Sequence, residues 1–141
     1  EILHVSEEKA RWLENPQDSY DPDLVAYIKS LRLKGIHIAI ASNSNASTLS
    51  KALVSAGLHD QIDVVVSSSE YGVIKPQLEF WQVLAHKIGA DPAVCLFTDD
   101  RQANCDAAQK FGFKTWYYTG LEKFRADCDA MLKGESNARA T

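Results

Sequence analysis

The sequence predicts an α/β fold, a three-layer Rossmann-like sandwich built on a mostly parallel sheet. Three observations carry this. Helical and strand patterns alternate strictly along the middle of the chain. The strand segments are short and almost continuously apolar, as strands covered on both faces are. Right-handed crossovers between such strands place helices on both sides of one sheet. The size agrees, because 141 residues with 45% hydrophobic and 24% charged side chains suit one globular domain.

The elements follow in order. Asp21 before Pro22 reads as an N-cap with proline at the first helical position. Leu24, Ile28 and Leu31 then share one helical face, with Val25 and Tyr27 beside it, and Gly35 closes the helix. Ile36-His37-Ile38-Ala39-Ile40-Ala41 is a strand whose one polar residue, His37, is expected to be a partnered core or edge histidine. A helix from about Ala46 carries Leu49, Leu53 and Val54 and ends at Gly57. Ile62-Asp63-Val64-Val65-Val66 is the second strand. Phe80, Val83, Leu84 and Ile88 mark a helix closed by Gly89, and Ala93 to Thr98 is the third strand. Ala103, Ala107 and Ala108 suggest a close-packed helix ending at Gly112. Phe113 to Tyr118 is the fourth strand, and Leu121 to Met131 the last helix.

Composition excludes several classes. Fifteen Lys and Arg against nineteen Asp and Glu give a net charge of −4, which argues against nucleic-acid or anionic-membrane binding. Apolar runs such as Ile62 to Val66 fall far below the ~18 residues of a membrane helix. Cys95, Cys105 and Cys128 are odd in number and lack CxxC spacing, so they read as reduced thiols of a cytoplasmic protein rather than a disulfide or zinc framework.

In a parallel sheet the ligand site lies at the carboxyl ends of the strands. Ser42-Asn43-Ser44-Asn45 follows the first strand, Gly72-Val73-Ile74-Lys75-Pro76 comes after the second, and Asp99-Asp100-Arg101-Gln102-Ala103-Asn104 follows the third. Together these offer hydroxyl and amide groups, one ammonium and a carboxylate pair. The set suits a phosphate and a divalent cation. Hydroxyls and helix-start N–H groups bind phosphoryl oxygens, lysine supplies a compact charge, and carboxylates attract a hard cation such as Mg²⁺. Each part has a plainer reading: Ser42 and Asn43 as turn or cap residues, Lys75 as a solvated lysine, Asp99 and Asp100 as helix caps. Their joint order and position outweigh these separately. Asp21-Pro22-Asp23 and Asp127-Cys128-Asp129 read as a cap and a helix segment, without site chemistry.

These residues resemble three motifs of the haloacid dehalogenase-like (HAD) hydrolase superfamily. Ile38 to Asn43 looks like its second motif, Gly72 to Pro76 its third, and Leu96 to Asp100 with Asn104, Ala107, Ala108 and Gly112 its fourth. Tyr117 to Gly120 and Leu121 to Arg125 also look like a subgroup containing sugar-phosphate phosphatases and the phosphatase domain of soluble epoxide hydrolases. The resemblance implies that Ser42 and Asn43 bind phosphoryl oxygens and that Lys75 holds nucleophile and phosphate charges together. It implies Asp100 as the direct Mg²⁺ ligand, with Asp99 direct or through water. Asn104 supports that loop and belongs with the substrate-binding residues. The Asp pair favours the Mg²⁺-dependent phosphatases over the metal-independent dehalogenases, and a small phosphorylated metabolite as substrate.

The family's first motif, an apolar strand followed by DxDGT with the nucleophilic Asp, is absent from residues 1 to 141. The family mechanism therefore cannot run on these residues alone. In the family that strand lies mid-sheet, so the fold is expected to lack its usual central first strand, which would expose two unpaired edges and an apolar slot that something should fill. Glu1 to Ser6 could replace it, but Val5 to Leu13 reads better as a helix capped by Ser6, like the end of a helical cap domain. This divides the chain into 1–20, a cap remnant and linker; 21–132, a HAD-like core; and 133–141, a disordered tail. With a start at Glu1 and Met131 as its one methionine, the nucleophile strand is expected upstream. The function expected is thus part of a Mg²⁺-dependent phosphomonoester phosphatase. The alternative is a non-catalytic HAD-like binding protein, its sheet completed by a partner strand or a swapped homodimer. A receiver-type domain is disfavoured, because its acidic pair comes at the start of the chain.

Overall fold

The computed structural model describes residues 2–6 as backbone and residues 22–140, with side chains through Lys133. The elements are β1 (Ile2–Ser6), α1 (Pro22–Leu33), β2 (His37–Ser42), α2 (Ala46–Ser55), β3 (Val64–Ser67), the one-turn α3 (Ser68–Tyr71), α4 (Leu78–Ile88), β4 (Cys95–Asp99), α5 (Gln102–Phe111), β5 (Lys114–Tyr117) and α6 (Leu121–Ala140). The strands form one parallel sheet in the order β3-β2-β1-β4-β5.

The centre of the sheet is filled, which corrects the expectation of a missing central strand. β1 pairs Ile2 with His37 and Cys95, and Val5 with Ile40 and Thr98. Val5 and Ser6 are extended, so the helix expected to start at Val5 does not start there. The physical reason is non-local. Facing edges of β2 and β4 present rows of backbone N–H and C=O groups, and a strand between them satisfies both rows. Residues 7–21, with the rest of that expected helix, the linker and the Asp21 cap, lie outside the described residues.

Two apolar layers cover the sheet. On one face Ile38 and Ile40 of β2 pack with Leu24, Ile28 and Leu31 of α1, Leu49 and Leu53 of α2, and Phe124 of α6. On the other, Ala41, Val66 and Phe97 pack with Phe80, Trp81 and Leu84 of α4 and Cys105 and Ala108 of α5. This is the three-layer sandwich that the alternating elements predict. Small residues on β2 leave room for Trp81, which meets Phe97 edge-on at 5.0 Å between ring centroids.

Asp127 and Asp129 have structural partners. The Trp116 indole donates to Asp127 Oδ2 at 2.9 Å, and the Tyr27 hydroxyl donates to Asp129 Oδ1 at 2.7 Å, tying α6 to β5 and α1. α6 runs on to Ala140, through the stretch expected to be a disordered tail. A single glycine, Gly134, costs a helix only about 1 kcal/mol, and the residues after it are mostly helix-compatible. All three cysteines are buried, and none of them is in a disulfide.

Candidate functional site

The carboxyl ends of β2 and β4 hold the residues singled out from sequence, and Lys75 reaches them from the loop between α3 and α4. That loop leaves α3 at Gly72, whose φ of 68° is left-handed and suits glycine. It passes a cis Lys75–Pro76 bond. The Trp81 indole then donates to the Pro76 carbonyl at 3.1 Å, fastening the loop to the aromatic core.

Lys75 is the centre of the site. Its side chain is 0% exposed. Its Nζ donates to Asp99 Oδ2 at 2.9 Å and to the Ala41 carbonyl at 3.0 Å, and lies 6.0 Å from the Phe97 ring centroid. A buried ion pair survives only where the remaining lone pairs are also satisfied. Here they are: Asp99 Oδ1 accepts from the Arg101 N–H at 2.9 Å, and Oδ2 accepts from Asn104 Nδ2 at 3.1 Å. The plainer reading of Lys75 as a solvated loop lysine is therefore ruled out.

Ser42 is fully buried at the end of β2. Its Oγ donates to Ser44 Oγ at 2.6 Å and accepts from the Ser44 N–H at 3.0 Å. The N-cap of α2 is Asn45, whose side chain accepts from Ser47 N at 2.9 Å, and Ser69 Oγ accepts from Ala46 N at 2.8 Å. So neither Ser42 nor Asn43 is the cap. Asn43 binds the backbone of Lys75 instead: its Nδ2 donates to the carbonyl at 3.2 Å and its Oδ1 accepts from the N–H at 2.9 Å. Asn104, 4% exposed, serves Asp99 from within the fold. Ser44 stands among the strand-end hydroxyls that the sequence offers, without a role of its own there, whereas Ser69 and the Ala41 carbonyl carry no sequence signal.

The two adjacent carboxylates have different surroundings. Asp99 faces nitrogen donors on both oxygens, which suits an anionic post for Lys75 better than a cation ligand. Asp100, half-buried beside it, is the carboxylate whose chemistry fits Mg²⁺, an ion that commonly uses one or two carboxylates and keeps several waters. Among the described residues no group of three or more His, Cys, Asp and Glu converges as a closed metal cage. Beneath Asp99, burial and then the Asp99 charge push the Cys105 thiol up to about 11.

Two features lie elsewhere. At the opposite end of the strands, Asp63 accepts from the Ile38 N–H at 2.8 Å, pairs with Arg32, and has the exposed His37 Nδ1 3.7 Å away. Burial pushes its carboxyl up, but Arg32 and the Ile38 N–H outweigh that and hold it below the ordinary value. A cavity of about 290 Å³ opens there, lined by His37, Asp63, Val64, Ile88 and Val94, away from Lys75. No helix among the described residues is long and apolar enough to cross a membrane.

The haloacid dehalogenase-like hydrolase family model matches residues 2–112. A Mycobacterium tuberculosis phosphatase is 29% identical over 67% of this chain and 44% of its own length. A (S)-2-haloacid dehalogenase of Burkholderia cepacia is also 29% identical, over 67% of this chain and 41% of its own. The chain thus spans less than half the length of these curated relatives. Among solved structures, an uncharacterized Corynebacterium glutamicum protein superposes with a TM-score of 0.75 at 20% identity, covering 94% of both chains. A Bacteroides thetaiotaomicron HAD family enzyme, solved with magnesium and inorganic phosphate, gives 0.65 at 23% identity over 72% of this chain and 54% of its own.

Proposed function

The chain belongs to the haloacid dehalogenase-like hydrolase family, and from that premise we propose that it forms the phosphoryl- and cation-binding side of a Mg²⁺-dependent phosphomonoester phosphatase. The observation that carries this reading is the buried Lys75–Asp99 pair, 2.9 Å long and anchored on the carbonyl next to Ser42. An ammonium held there by backbone and carboxylate is a fixed positive charge at a strand end, where phosphoryl oxygens are expected. Ser42, Ser44 and the N–H groups opening α2 supply neutral donors beside it. Asp100 would hold Mg²⁺, which when bound neutralises phosphoryl charge. The Asp99-Asp100 pair supports phosphatase over dehalogenase chemistry. A small phosphorylated metabolite is the proposed substrate, and the cytoplasm, with its reduced thiols, the proposed location.

The nucleophilic aspartate of this reading comes from outside residues 1–141. A strand bearing it needs the mid-sheet position held by Ile2–Ser6. The test uses two proteins. A chain extended upstream across a DxDGT motif should hydrolyse p-nitrophenyl phosphate only with Mg²⁺. The 141-residue chain should bind orthophosphate without turnover. An intact parent chain with no phosphatase activity overturns the proposal.

One observation favours a second reading, a non-catalytic phosphate-binding protein: the central strand Ile2–Ser6 carries no aspartate. Orthophosphate binding, with no DxDGT in the upstream reading frame, would select it. Its partner would be a second copy of the chain, detected as a homodimer by light scattering.

A further inference from the structure

We infer that Asn43 is a positioning residue for Lys75 rather than a substrate-binding group. The inference rests on the phosphoryl-binding reading above and refines it. Asn43 is the first residue beyond β2, and Lys75 lies 32 residues later. Its side-chain amide meets the main chain of that single residue twice. Oδ1 accepts from the Lys75 N–H at 2.9 Å, and Nδ2 donates to the Lys75 carbonyl at 3.2 Å. This is the exchange of donor and acceptor that a residue of a neighbouring strand would make. The loop carrying Lys75 belongs to no strand, so a side chain supplies the pairing.

The chemistry of asparagine suits the task. Its amide holds one acceptor and one donor group at fixed separation. A carboxylate in its place offers acceptors alone and faces the Lys75 carbonyl with like charge. A serine hydroxyl is too short to span both groups.

Other ties hold the rest of the loop. Gln77 N donates to the Ile74 carbonyl within the loop, at 2.9 Å, and Trp81 holds the Pro76 carbonyl from the α4 side. Toward β2, the Lys75 backbone is tied by Asn43. What hangs from that backbone is a flexible four-carbon stem whose Nζ must reach the Ala41 carbonyl and Asp99 Oδ2 together. With the backbone pinned at both its N–H and its carbonyl, the ammonium is delivered to one place. With the pin removed, the stem samples others, and the charge facing the phosphoryl site blurs.

The test reads Lys75 directly. Asn43→Ala and Asn43→Asp variants of the 141-residue chain are compared with the parent by NMR hydrogen exchange and by orthophosphate titration. Exchange is followed at the Lys75 amide and at its ζ-ammonium, with the Trp116 indole, bonded to Asp127, as internal reference. Asn43→Ala should speed Lys75 exchange at both groups and leave Trp116 unchanged. Orthophosphate binding should weaken about tenfold. Asn43→Asp, which keeps the bond from the Lys75 N–H, should fall between parent and alanine variant. Unchanged Lys75 exchange in both variants overturns the inference. If phosphate binding falls while Lys75 exchange does not, Asn43 touches the ligand directly and the inference is again wrong. A parent chain that binds no orthophosphate defeats the phosphoryl-binding reading, and the exchange data then decide the positioning role alone.

Discussion

The buried pair at the heart of the site makes a quantitative prediction about stability. The variants are Lys75→Met, Asp99→Asn and the double variant. Lys75 Nζ donates to Asp99 Oδ2 at 2.9 Å, and the two side chains are 0% and 1% exposed. Removing one partner of such a pair leaves a charge without its counter-charge in the interior, at a cost of about 3–5 kcal/mol. In Lys75→Met the Asp99 carboxylate still accepts from Arg101 N and Asn104 Nδ2, which places the loss near the lower end, about 3 kcal/mol. For a chain of 141 residues, 1 kcal/mol moves the melting temperature by about 3 °C, so a fall of about 9 °C is expected. Asp99→Asn leaves the ammonium with the Ala41 carbonyl and the Phe97 ring and should cost a similar amount. The double variant removes both charges together and should lose only about 1–2 kcal/mol against the parent. Urea unfolding of all four proteins at pH 7 gives the coupling energy, expected to exceed about 3 kcal/mol and to change little with added salt. A coupling below about 0.5 kcal/mol, with the single losses simply adding, would refute the account of Lys75 and Asp99 as one buried unit.

Two further predictions concern titration. Asp63 has a folded-state pKa below its unfolded value, so the stability it contributes is present at neutral pH and is lost as pH falls through the folded value. Asp63→Asn should cost about 0.5–1 kcal/mol near pH 7, as expected of a partly exposed pair, and nothing once pH is well below about 4; a constant difference across an acid titration followed by circular dichroism would count against the Arg32 pairing. Cys105 shows the opposite sign, because its folded value is raised to about 11, above the unfolded one near 8.5. Its contribution is therefore full below about pH 8.5 and declines as pH rises toward the folded value. At pH 8.5 iodoacetamide should leave Cys105 unmodified in the folded protein and label it in urea, read by mass spectrometry; labelling at the denatured rate without urea would show the thiol is not shielded beside Asp99.

What could be read from the chain follows the range of the forces involved. Ser42, Lys75, Asp99, Asp100 and Asn104 are recognisable because strand and helix periodicity locates the strand ends, and that periodicity is local. The central strand was not recognisable on those terms. Ile2 to Val5 is a short apolar run beside Ser6-Glu7-Glu8, a serine cap followed by an acidic first turn, and locally that favours the helix. Two strands more than 30 residues downstream decide otherwise, since β2 and β4 each offer an edge whose pairing requires an extended neighbour. Asn43 repeats the point at the scale of one side chain. A polar residue after a strand reads equally well as cap, turn or ligand, and only the arrival of the Lys75 backbone selects among them. Asp99 is a similar case: a carboxylate at a strand end reads as a cation ligand, direct or through water, and only the fold places three nitrogen donors from Lys75, Arg101 and Asn104 around it. The contrast between the surroundings of the two adjacent aspartates is therefore a product of tertiary packing. It implies that exchanging Asp99 and Asp100 for asparagine one at a time will have unlike consequences, the first falling mainly on stability and the second mainly on Mg²⁺ affinity.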